Sequence, residues 1–226
     1  MNVGILFSGG KDSCLALSRA GKEHKIVCLI SVISANKESY MFHTPNIHVT
    51  DLQAEAMGLP LVKKETLGMK EDELHDLKTV IAEAKEKYKI EGIVTGAIES
   101  VYQSSRIKKI CDALGLRCIN PLWKADQASL LKELLDKGFR VIISGVFAHP
   151  LDEKWLGKEI DKNVIKELVV MRDKYGISPS GEGGEIETTV IDAPFFKKRI
   201  EILESERIFR EDSGVFAIKK ARLADK

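Results

Sequence analysis

The chain has 226 residues, with 35 Lys and Arg against 34 Asp and Glu and a formal net charge of +1. That balance argues against a strongly basic nucleic-acid binder and leaves only a local basic patch open. A hydrophobic fraction of 44% with 31% charged residues excludes a disordered chain, and no apolar run approaches the ~20 residues of a membrane span.

The first half alternates strand-like and helix-like patterns. Residues 3–7 form a short apolar run that stops at Ser8-Gly9-Gly10. A helix follows, with Leu15, Ala16 and Leu17 as its apolar positions and Gly21 as its stop. Residues 26–33 read as a second buried strand. Thr50 opens a helix, and Gln53 three residues on completes a capping box. Residues 61–64 supply a third strand. From 71 to 88 the apolar residues Leu74, Leu77, Ile81, Ala84 and Tyr88 recur with a helical period under a charged outer face. Residues 92–96 are a fourth strand, a helix runs to about Ala113, and residues 117–119 are a fifth strand. Strand alternating with helix predicts a doubly wound parallel sheet, in which ligands sit outside the carboxyl ends of the strands.

The second half differs. Asp126 caps a helix ending before Gly138, residues 139–147 are a strand, and residues 164–175 are a helix closed by Gly176. A Gly- and Glu-rich loop at 180–185 leads to β-like runs near 186–191, 198–204 and 214–222. The expected organisation is therefore an α/β nucleotide domain over residues 1–120 and a smaller α+β substrate domain over 121–226.

Cys14, Cys28, Cys111 and Cys118 form no C-x-x-C pair and fit no common zinc spacing. They read as reduced thiols of a reducing compartment; a catalytic cysteine is the lesser alternative, with Cys14 foremost because it adjoins the first loop. The N-terminus lacks a basic n-region, so no secretory signal is expected and the expected location is cytoplasmic.

The strongest local signal is Ser8-Gly9-Gly10-Lys11-Asp12-Ser13 between a strand and a helix. Two glycines let the backbone turn sharply and approach an anion. The helix that follows offers unpaired N–H groups and the positive end of its dipole. The hydroxyls of Ser8 and Ser13 add donors, and Lys11 adds charge. Asp12 would repel a phosphate, so it reads as a Mg²⁺ partner or a clamp on the loop. A Walker loop is excluded because Asp12 follows Gly10-Lys11 and Ile5 stands where its first glycine would be, and a dinucleotide fingerprint because the glycines are adjacent. The segment resembles the pyrophosphate-binding loop of the N-type ATP pyrophosphatases. That resemblance implies a Rossmann-like fold of the adenine nucleotide α-hydrolase kind. It also implies a grip on the β- and γ-phosphates that leaves the α-phosphorus open to attack.

Three further segments fall at strand ends or loops. His43, in Phe42-His43-Thr44-Pro45-Asn46, stands among polar turn formers facing the expected site. After the fourth strand, Gly96 can bring backbone near a nucleotide, and Tyr102 and Arg106 share a helix face. Arg106 suits a carboxylate or phosphate, or a surface ion pair. In Glu182-Gly183-Gly184-Glu185-Ile186-Glu187, carboxylates on a glycine-freed loop could hold Mg²⁺, orient an ammonium ion or deprotonate it. The alternative is a solvated acidic turn. Glu185 and Glu187 alternate, which places both on one side of the entering strand.

Together with Tyr102-Gln103, Arg106, Pro121-Leu122-Trp123, Trp155-Leu156-Gly157 and Glu187-Thr188, these segments resemble the diphthine–ammonia ligase family over nearly the whole chain. The family segment usually reads E-G-G-E-Y-E-T, and Ile186 stands here in place of the tyrosine. The resemblance implies ATP-dependent amidation of diphthine, a modified histidine of translation elongation factor 2, to diphthamide. It implies ATP and Mg²⁺ as cofactors, an acyl-adenylate, release of AMP and pyrophosphate, and free ammonium as nitrogen source. It implies nucleotide contacts at Ser8, Gly9, Gly10, Lys11, Asp12, Ser13 and Gly96, with Asp12 on the metal. Lys11, His43, Tyr102, Gln103, Arg106, Glu182, Glu185 and Glu187 are the implied catalytic and substrate groups. No membrane or stable nucleic-acid partner is expected, and self-association is left open. Two rivals stand beside this reading. One is an adenylating enzyme of the same superfamily acting on another carboxylate or a tRNA base. The other is an ATP-holding sensor of universal-stress-protein type.

Overall fold

A computed structural model describes residues 1–34, 45–67 and 70–226, with 70–72 by backbone alone. In the first half, β1 (Asn2–Leu6), α1 (Lys11–Ala20), β2 (Lys25–Ser34), α2 (Thr50–Met57), β3 (Leu61–Thr66), α3 (Lys70–Tyr88), β4 (Gly92–Val94), α4 (Val101–Ala113) and β5 (Arg117–Ile119) follow one another. The strands pair in parallel in the order β3-β2-β1-β4-β5. The chain winds outward from β1 to β3 and then restarts at β4 on the other side of β1. The carboxyl ends of β1 and β4 therefore flank the point where the winding reverses, the place where such sheets bind ligands.

Strand alternation builds both faces of this sheet. Val3, Ile5 and Leu29 face α1, packing with Leu15 and Ala16. Cys28, Ile30 and Val32 face the other way, onto Leu77, Ile81 and Ala84 of α3 and Ile107 and Ile110 of α4. Strands covered on both faces explain why the sequence shows short continuous apolar runs rather than alternation.

The second half contains α5 (Gln127–Asp136), β6 (Arg140–Val146), α6 (Lys162–Tyr175), β7 (Ile186–Asp192), β8 (Arg199–Arg210) and β9 (Ser213–Ala224). Its sheet is antiparallel, in the order β7-β6-β9-β8. Asp126 caps α5 by accepting from the Ser129 N–H at 2.8 Å, and Gly176 at φ 73° closes α6. The core on the α1 side of the first sheet runs on into this half, through Leu130, Leu131, Ile143, Ile186 and Val190. Among the described residues no helix is long and apolar enough to cross a membrane.

Two details differ from expectation. β8 continues to Arg210, beyond the apolar run near 198–204. Its outer half from Leu203 is largely exposed and is held by pairing to β9 down to Arg210 opposite Ser213. Phe209 alone of its exposed end packs on the core, and the charged residues Glu204, Glu206, Arg207 and Arg210 blur the apolar pattern there. At α2 there is no capping box. A short 3₁₀ turn (Ile47–Val49) precedes the helix, and Thr50 Oγ1 donates to Ile47 O. Gln53 is fully buried and points inward instead.

α1 is tied to α5 by Arg19, whose Nη1 donates to Pro121 O at 2.8 Å and whose Nη2 meets Glu133 Oε2. The hydrogen bond from Arg19 holds the Glu133 carboxyl down to about 2. A depressed carboxyl contributes stability above its unfolded value and loses it as pH falls toward 2. Arg19→Met is therefore expected to cost about 1–3 kcal/mol near neutral pH, with the gap to wild type closing on acidification. Urea titrations at several pH values check it; a gap constant down to acid pH would refute the pairing as its cause.

Candidate active site

A cavity of about 500 Å³ opens over the carboxyl ends of β1 and β4, the size of a small-molecule or cofactor site. Part of its wall is apolar: Leu6, Ile30, Val32, Leu77 and Ile107. The rest is polar. The residues after β1 contribute Ser8, Gly10, Lys11, Asp12 and Ser13, those after β4 contribute Thr95 and Gly96, the loop entering β7 contributes Glu182, and the start of β7 contributes Glu187 and Thr188.

The loop after β1 is shaped by backbone geometry. Gly9 takes φ 79°, and its carbonyl accepts from Val190 N–H at 3.0 Å and Gln53 Nε2 at 2.9 Å. Gly10 stands at the N-cap of α1 with no side-chain cap, so the helix opens toward the cavity. Lys11 N–H donates to Thr188 Oγ1 at 3.1 Å, and Ser13 Oγ donates to Gly10 O at 3.0 Å. Strand β7 of the second sheet thus holds the phosphate-type loop from behind. Lys11 is buried, and its ammonium donates to Asp12 Oδ2 at 2.7 Å and to Ser180 O. It lines the cavity while binding the two loops together. Gly96 packs directly on the start of α1, where a Cβ would meet the Asp12 carbonyl carbon at 2.8 Å and Ser13 N at 2.9 Å.

The acidic loop is organised by α5. Gln127 Oε1 accepts from Ser178 Oγ, from Ser180 N–H at 3.2 Å and from Ser180 Oγ at 2.9 Å. Glu182 N–H donates to Ser178 Oγ, and Glu182 Oε2 accepts from Glu99 N–H at 3.0 Å, which joins this loop to the one after β4. Burial raises the Glu182 carboxyl above its ordinary range. Burial pushes Glu187 up to about 7; Lys11 opposes that rise and Asp12 adds to it.

The candidate residues do not all converge. Gln103 lines the cavity, and its N–H donates to the α4 cap Ser100. Tyr102 and Arg106 are outside the cavity wall. The Arg106 guanidinium stacks 3.4 Å over the Tyr102 ring and enters no ion pair among the described residues. Glu185 also lies off the wall: Oε1 accepts from Ser178 N–H at 3.0 Å, so its carboxylate turns to the 178 loop while Glu187 faces the cavity. His43 lies outside the described residues. Cys14 is fully buried, and burial pushes its thiol up, so it packs rather than attacks.

As site residues, Gln53, Gln127 and Thr188 escape sequence reasoning: Gln53 reads as half of a capping box, Gln127 as an ordinary helix residue and Thr188 as part of the family segment. The signal available for Thr188 was a pair of threonines, Thr188-Thr189, in the middle of a strand whose Ile186, Val190 and Ile191 are apolar.

Comparison with known proteins adds to this geometry. The family model described as diphthamide synthase N-terminal domain matches residues 1–118, and the one described as diphthamide synthase C-terminal domain matches residues 126–224. A Bos taurus protein named diphthine--ammonia ligase is 37% identical over 237 residues, covering 96% of this chain and 88% of that protein. A Homo sapiens protein of the same name matches at the same identity and coverage. A solved structure, of a predicted subunit of tRNA methyltransferase from Methanocaldococcus jannaschii, is similar at 17% identity and a TM-score of 0.44, over 86% of this chain and 98% of that one.

Proposed function

The chain belongs to the diphthamide synthase family, and on that premise we propose that it amidates diphthine on translation elongation factor 2, with ammonium, through an acyl-adenylate. It is an ATP-dependent ligase. One observation carries the reading: the loop after β1 and the carboxylates Glu182 and Glu187 face one cavity.

The purine lies against the apolar wall of Leu6, Ile30 and Val32, and the outer phosphates lie on the backbone N–H groups of Gly10, Asp12 and Ser13 at the open end of α1. An oxygen of the acceptor carboxylate attacks the α-phosphorus. The bond to the bridging oxygen breaks, and pyrophosphate leaves with its electron pair. Ammonium gives one proton to a carboxylate, the ammonia so formed attacks the acyl carbon, AMP departs, and the nitrogen's surplus proton leaves to solvent. Glu187 suits the deprotonation, since a carboxyl raised to about 7 is a stronger base than an ordinary one. Glu182 orients the incoming ammonium beside it.

The donor set fits Mg²⁺. Among the described residues no three metal-ligating side chains cluster, but Mg²⁺ in nucleotide sites commonly takes one or two carboxylates plus phosphate oxygens and water. Asp12 would hold it, with phosphate oxygens and water completing its shell. When bound it offsets charge on the departing pyrophosphate.

The test is incubation with ATP, ammonium and elongation factor 2 bearing diphthine. AMP, pyrophosphate and diphthamide should appear in equal amounts, with the amide read by mass spectrometry of the modified histidine. ATP held unchanged would mark a sensor. Turnover only with a tRNA or another carboxylate would move the acceptor elsewhere.

A further inference from the structure

Gln53 has no exposed surface, and its Nε2 donates both to Gly9 O at 2.9 Å and to Val190 O at 2.8 Å. Gly9 O receives a second hydrogen bond, from Val190 N–H at 3.0 Å. Two donors therefore draw one carbonyl back, away from the cavity. The Gly9–Gly10 peptide is trans, since the cis bond in the described chain is His149–Pro150. In a planar trans peptide C=O and N–H point in opposite directions. Pinning the Gly9 carbonyl backward therefore aims the Gly10 N–H forward, and Gly10 is a wall residue of the cavity. Among the described residues that N–H has only a long contact, 3.4 Å, to Ser8 Oγ. It is left ready for a stronger acceptor.

The fit around Gln53 supports a dedicated role. Its Oε1 is buried with no hydrogen-bond partner among the described residues, a costly arrangement. The same atom lies 2.3 Å from where a Cβ on Gly9 would be, so the amide is pressed against the loop. A leucine would fill this space without leaving an orphaned oxygen, but it would leave the carbonyl held by the Val190 N–H alone.

We infer that Gln53 is a positioning residue for the phosphate loop: with the Val190 N–H it fixes the Gly9–Gly10 peptide so that the Gly10 N–H is a preset donor to the terminal phosphates of ATP. The inference rests on the phosphate-loop reading above. It also makes β7 of the second sheet part of the nucleotide site.

Binding of inorganic pyrophosphate and of AMP, measured separately by calorimetry with Mg²⁺ on wild type and Gln53→Leu, tests it. Losing one directed hydrogen bond to a charged oxygen should weaken pyrophosphate about 10- to 100-fold, with AMP affinity unchanged. In the full reaction the KM for ATP should rise while that for ammonium holds. Gln53→Glu should regain pyrophosphate affinity, relative to wild type, as pH falls, because a protonated carboxyl restores one donor. Gln53→Met serves if the leucine variant does not fold. Wild-type pyrophosphate affinity in the variant would overturn the inference. So would equal loss of both ligands alongside a lowered melting temperature, which is what mere packing predicts. If wild type itself ignores pyrophosphate, the phosphate-loop reading fails first and takes this inference with it.

Discussion

Replacing Glu187 by glutamine is expected to leave adenylation of the acceptor in place and to slow amide formation by about 10²–10⁴-fold, the usual effect of losing one general base. Glutamine keeps the size and the cavity wall but accepts no proton. The wild-type rate of the ammonia step should climb with pH through about 7, where Glu187 sheds its proton, and the variant should lack that limb. Single-turnover assays that count AMP and amide separately decide the matter. Equal loss of both products would assign Glu187 to phosphate or Mg²⁺ chemistry instead, and an unchanged amide rate would remove it from the mechanism.

The same residue makes a prediction for the ligand-free protein. The native state keeps this proton up to about pH 7, whereas an unfolded chain releases it near about 4.3. Across that window the native state binds more protons, so stability falls as pH rises. Glu187→Gln removes the fall. Its melting temperature should match wild type in mild acid and exceed it above neutrality. A variant less stable at every pH would contradict the burial argument.

Gly96→Ala is expected to weaken ATP binding by about 10-fold or more, with a stability loss of about 1–3 kcal/mol. The added methyl would meet the Asp12 carbonyl carbon at 2.8 Å and Ser13 N at 2.9 Å. Both are backbone atoms, so no rotamer change relieves the contact. Either the loop after β4 retreats or the first turn of α1 shifts, and both are walls of the cavity. Calorimetry with ATP and a melting curve check the two effects. Wild-type affinity would mean that this approach of two loops does not shape the site.

What was legible in the sequence follows the range of the interactions concerned. The loop after β1 is read directly because its strand, glycines and helix are consecutive, and local backbone chemistry dictates the turn. The parallel sheet is legible for a similar reason, since its buried strands announce themselves as apolar runs between amphipathic helices. Local patterns mislead where a distant partner competes. Thr50 and Gln53 have the spacing of a capping box, yet the Thr50 hydroxyl is taken by Ile47 O and Gln53 serves a loop 44 residues away. Glu185 and Glu187 have strand alternation, but β7 begins at Ile186 and Gly184 turns the chain at φ 83°. Glu185 therefore precedes the strand and escapes its period.

By itself the sequence determined the elements, the doubly wound sheet and the turn that opens α1, because each depends on residues adjacent in the chain or on burial of one face. Only the tertiary structure decided which carboxylate enters the cavity, what restrains Lys11, and which side chain fixes Gly9. Those contacts join residues as far apart as Lys11 and Thr188, separated by 177 positions. They depend on how the second sheet packs against α1, and side-chain directions at such a junction are set by packing that no local pattern records.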